Sequence, residues 1–165
     1  MTGKADFTSA EWSMILSSPM LAGMAVSIAD PSGLWGMMQE AMASGRALLE
    51  AGSDPGASDL VKAVVADMET SEGRTAARDA LRSELNGKTS AEIKQRAFTT
   101  LGEIGSVLDA KAPKDAAAFK GWLKHIAERV AEAGSEGGFM GFGGVKVSEA
   151  EKATIAEIAT ALKIA

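Results

Sequence analysis

Cysteine is absent from this sequence, and histidine occurs once, at position 125. The first absence excludes disulfides, thiolate-ligated zinc and thiol nucleophiles. It fits a reducing compartment, so a cytoplasmic location is expected. The second absence leaves His125 with no other imidazole or thiol to share a metal. Any Ser/His/Asp chemistry would rest on that one ring, and no nucleophile–base pair is evident. Basic residues are scarce at the start, where Lys4 is the only one before Arg46 and Asp6 and Glu11 interrupt the segment. A basic stretch leading into an apolar one is missing, so no export signal is expected. Acids outnumber bases over the 165 residues, giving a net charge of −5. That balance argues against a nucleic-acid surface, which needs clustered Lys and Arg.

Sustained period-2 alternation is also lacking, and β-branched residues are scattered among many alanines. The chain therefore reads as all-α and as one domain, 1–165. Three helix starts carry the same signature: "TSAE" at Thr8–Glu11 and Thr89–Glu92, and "SEAE" at Ser148–Glu151. In each, the hydroxyl can take the third amide while the Glu returns to the capping amide. Ser18-Pro19 and Asp54-Pro55 predict two further starts, with proline at the first helical position. Gly52 and Asn86-Gly87 predict ends. The pattern gives helices near 8–17, 19–29, 33–51, 56–69, 72–85, 90–110, 114–134 and 149–163. About seven or eight helices should form an irregular or orthogonal bundle.

The stretch Trp12–Ala29 has no charge over 18 residues, which reaches the lower limit for a membrane span. Pro19 sits inside it, so two short buried helices are expected instead, and membrane contact is not. Helix 33–51 repeats Leu34, Met37, Met38, Ala41, Met42, Leu48 and Leu49 at helical spacing and should cross the core. Met14, Met20, Met24, Met37, Met38 and Met42 crowd the first quarter of the chain. On faces shared with Leu and Ile, such methionines read as core filling. The alternative is a groove for an apolar ligand or partner, since thioether side chains adapt to many shapes.

Before the last helix, Gly137, Gly138, Gly141, Gly143 and Gly144 surround Phe139, Met140 and Phe142. Lys146 is followed by Val147 and not by Ser or Thr, and a helix precedes the run, so a phosphate loop is excluded. The run reads as a hinge whose aromatic residues tuck onto the bundle.

Two segments resemble a known family. "FTSAEWSMILSSPMLAGMAVSIADPSG", followed by Glu40, is similar to the opening of the tellurite-resistance TerB-like proteins, and "GGVKVSEAEKATIAEIATAL" to their second acidic turn. The resemblance spans about the first 40 and last 20 residues. It implies an all-α fold and a non-enzymatic cytoplasmic accessory role in a stress-related setting. It also implies divalent-metal ligation, with Asp30, Glu40, Glu149 and Glu151 as the matching acids. Pro31 stands where the family has Gly, and Gly143-Gly144 replace an expected acid, so two ligands of that pattern are missing. No other cofactor is implied.

The expected function is thus binding of a protein partner or of a second copy, through Trp12, Trp35, Phe139 and Phe142. A divalent-cation site and a Met-lined carrier pocket are the alternatives.

Overall fold

The computed structural model describes residues 1–29, 54–136 and 147–164, with residues 45, 48 and 50 between them. Six α-helices and one short 3-10 turn make up the described part, and no strand occurs among the described residues. In chain order these are α1 (Ser9–Ala29), α2 (Asp59–Met68), α3 (Ser71–Leu85), α4 (Ser90–Lys111), α5 (Pro113–Glu136) and α6 (Glu149–Ala161). The sequence pattern gives two more helices. One difference is that its first two are a single helix, and the other is that of 33–51 only residues 45, 48 and 50 are described, each of them helical.

α1 is the axis of the bundle and packs against each of the other five helices. It is apolar on every side, which is the composition of a helix surrounded by protein. Its most apolar 18-residue window has a mean hydropathy of 1.4 and is 61% buried inside the fold. Ile15, Leu16, Leu21, Ala22, Ala25 and Val26 are almost wholly buried. They meet Leu60 and Val64 of α2, Leu101, Ile104 and Leu108 of α4, Phe119, Leu123 and Ile126 of α5, and Ile158 of α6 within one core.

Pro19 does not break α1, contrary to the sequence expectation. Proline removes the amide that should bond the carbonyl four residues back, here that of Ile15. The Ser18 hydroxyl donates to that carbonyl at 2.7 Å, and Ser17 does the same to Met14 at 2.8 Å. Both serines are buried, and neither leaves a polar atom unpaired. The orphaned acceptor is satisfied from within, so the helix continues.

All three capping boxes form. Thr8, Thr89 and Ser148 each accept from the amide of the Glu three residues on, and each Glu returns to the capping amide. Asp54-Pro55 does not start a helix. The Asp54 carboxylate accepts from Gly56 N at 2.8 Å and closes a turn, and Ser58 caps α2 instead. The turn after α3 runs through Gly87 at φ +75°, as Asn86-Gly87 predicts. Where α2 meets α3, Gly73 is buried, and a Cβ there would lie 2.0 Å from the Asp67 carbonyl oxygen. Only glycine permits so close an approach.

Candidate functional site

Beyond Pro19 the character of α1 changes. Met20 and Met24, one turn apart, are half-buried. They form one wall of an open groove with Leu81 and Leu85 of α3 and Ile93 of α4. The groove encloses about 450 Å³, within the range of small-molecule sites. The Asn86-Gly87 turn lies at one end of it. Arg78 and Arg82 of α3 stand at the apolar wall, four residues apart and exposed. Neither has an ion pair or a side-chain hydrogen bond among the described residues.

The other arginines of this region are engaged. Arg74 donates to the Met68 and Glu69 carbonyls and closes the end of α2. Arg96 pairs with Glu84 and reaches Glu103, and the Glu84 carboxyl is held below its ordinary range chiefly by that guanidinium. Glu84, two residues from Arg82, is therefore committed elsewhere, and Asp79, three residues before Arg82, makes no ion pair among the described residues.

A second concavity of about 300 Å³ lies between the turn before α2 and the middle of α5. It gathers Asp54, Ser58, Trp122 and His125. Ser58 uses its hydroxyl as a cap, accepting from Val61 N at 3.3 Å, and one Asp54 oxygen holds the Gly56 amide. His125 is half-exposed, with Nδ1 3.9 Å from Glu128. Trp122 is nearly buried with its ring edge-on to Phe119, and its indole nitrogen has no hydrogen-bond partner among the described residues. The serine and the aspartate are thus held by local backbone geometry.

Of the acids implied as metal ligands, Asp30 and Glu40 lie outside the described residues. Glu149 is exposed and pairs with Lys152 at 2.6 Å. Glu151 is buried and accepts from Ser148 N at 2.8 Å. Among the described residues no group of three or more His, Asp or Glu side chains is placed to hold a metal ion.

Of the residues expected at a partner surface, Trp35, Phe139 and Phe142 lie outside the described residues. Trp12 does not present a surface. It is 3% exposed, stacks on Phe7, and its indole donates to Asp67 at 2.6 Å. Of the six clustered methionines, Met14, Met20 and Met24 are described; all three are half-buried, and Met14 and Met20 pack against the core. Arg78 and Arg82 escaped the sequence reading. Their signal is two like charges at i,i+4, an arrangement that weakens a helix on its own, with Asp79, three residues before Arg82, as the acid at a neighbouring turn. No family model, curated protein or solved structure matches the chain.

Proposed function

We propose that this chain is a non-enzymatic binding protein whose contact is the groove formed by α1, α3 and α4. One observation carries the reading: Met20 and Met24, one turn apart on the central helix, line an open apolar concavity. Unbranched thioether side chains adapt to guests of varied shape. The fold supports the surface rigidly, because the opposite side of α1 is locked into the core by Ile15, Leu16, Leu21 and Val26. The resemblance to TerB-like proteins supports an accessory role in the cytoplasm. The carrier reading gains from the groove's volume, while the cation reading has Glu149 and Glu151 each tied to a local partner.

The test is titration with 1-N-phenylnaphthylamine, an uncharged dye that brightens in apolar surroundings. A saturable rise is expected, and Met24→Glu should weaken it by about tenfold or more, since a carboxylate resists burial against hydrocarbon. Met24→Leu should keep the affinity within a few-fold. The absence of a saturable rise, or a Met24→Glu protein that folds and binds unchanged, refutes the groove as the contact.

A further inference from the structure

The groove combines an apolar wall with two cations that have no counter-ion among the described residues. On this basis, and resting on the binding-protein reading above, we infer that its guest is a single-chain anionic amphiphile, with a carboxylate head held at Arg78 and Arg82 and a hydrocarbon tail along Met20, Met24 and Leu81.

Size decides against a protein partner. Nine described residues line the groove, whereas a stable protein interface uses about 20 to 30 on each side. The enclosed space of about 450 Å³ matches a small molecule instead. Charge decides the head group. The chain carries five more acids than bases, from 22 against 17, and yet Arg78 and Arg82 are without an acid among the described residues. Arg82 lies one turn beyond Arg78 on α3, so both guanidinium groups are on one side of the helix. Two like charges at that spacing repel, and an anion between them reverses the sign of the interaction. A guanidinium fork also matches the two oxygens of a carboxylate better than an ammonium does. Lys88, just past the Asn86-Gly87 turn, adds a further positive charge in the chain after α3. The acids of this region are directed away: Glu84 holds Arg96 and Thr100, and Glu92 closes the α4 cap. The remaining acid on α3 near the pair, Asp79, is exposed and does not line the groove.

The tail requirement is met by the absence of polar groups along the wall. Leu81, Leu85 and Ile93 bring no hydrogen-bond donor or acceptor in their side chains, and the Met20 and Met24 sulfurs accept only weakly, so a polar tail would lose its water with little compensation. The head and the tail thus call for opposite chemistries within one molecule, which is the definition of an amphiphile.

The experiment is displacement of bound 1-N-phenylnaphthylamine from the full chain by monomeric dodecanoate, dodecanol and dodecyltrimethylammonium, at pH 8 and low salt. Dodecanoate should displace at about tenfold lower concentration than the alcohol, and the cation should be weakest. Arg78→Gln/Arg82→Gln should erase the preference for the carboxylate over the alcohol. Raising the salt to about 0.5 M should narrow the preference, because both arginines are exposed. Equal displacement by all three, or a double variant that keeps the preference, overturns the anionic guest while leaving the groove intact. Failure of the dye itself to bind overturns the groove reading instead. Binding to phosphatidylglycerol vesicles without displacement by monomeric dodecanoate overturns the single-chain guest in favour of a membrane surface.

Discussion

The two halves of α1 share one helix and almost one composition, but their surroundings differ. Before Pro19, the side chains reach far along the chain. Trp12 donates to Asp67, whose carboxylate also meets Lys4 at 3.2 Å, and Glu11 meets Lys111 at 2.6 Å. After Pro19, Ser27 bonds only its own helix, and Met20 and Met24 face an open groove. Polar groups near a helix end thus fix one half to α2 and α4, while the other half keeps a surface that nothing in the described fold covers. The same apolar stretch serves as anchor and as receptor, according to what surrounds it.

The comparison can be broken hardest at the anchored end. Gly73→Ala forces a Cβ against the Asp67 carbonyl and pushes apart the α2–α3 elbow that holds Trp12. A loss of about 3 kcal/mol in urea unfolding is expected, from the upper end of overpacking costs. An alanine variant of wild-type stability would show that the elbow yields freely.

The next effect is smaller and pits two tryptophans against each other. Trp12→Phe removes a donor from a charged acceptor and should cost about 2 kcal/mol. Trp122→Phe removes a donor that has no partner, so the lost ring area and the relieved nitrogen nearly offset, and the change should stay within about 1 kcal/mol. Equal losses in thermal unfolding would mean that the Trp12–Asp67 bond contributes nothing beyond packing.

The smallest effect is in the acid range. The Glu11 carboxyl is lowered from 4.5 to about 2, first by the Lys111 ammonium and then by the Thr8 amide. For Asp67, burial opposes ionisation, but the Trp12 indole and Lys4 outweigh it and hold the carboxyl below its ordinary value. Both groups are depressed in the folded state, so the unfolded chain binds more protons as the pH falls. Their contribution is complete above the unfolded value and fades as the pH drops, for Glu11 between 4.5 and about 2. Glu11→Gln should flatten the fall of the unfolding midpoint across that window, and high salt should blur the difference because the pair is near the surface. A parallel pH profile in the variant removes Glu11 as a contributor.

The helix starts at Thr8, Thr89 and Ser148 were legible because a capping box is a local contract between residues three apart. The apolar faces of α4, α5 and α6 follow from the sequence for a similar reason, since Leu101, Ile104, Leu108, Phe119, Leu123, Ile126 and Ile158 recur at helical spacing, and all are buried. What escaped depends on partners far along the chain or on hydroxyl groups standing in for amides. Pro19 reads as a break until Ser18 is seen to serve the Ile15 carbonyl. Asp54 reads as a cap until Gly56 claims its carboxylate. Gly73 gives no signal at all, because its reason is the Asp67 carbonyl of a neighbouring helix. The groove was half legible: the methionines announce adaptable apolar contact, but only packing shows which of them reach the outside.

The serine hydroxyl that serves the Ile15 carbonyl has a mechanical consequence. At Pro19 the ladder of amide bonds lacks a rung, and the substitute is a side chain that rotates about one bond. The continuity of α1 through the core therefore hangs on one hydroxyl, and Ser18→Ala would leave the Ile15 carbonyl buried and without its partner.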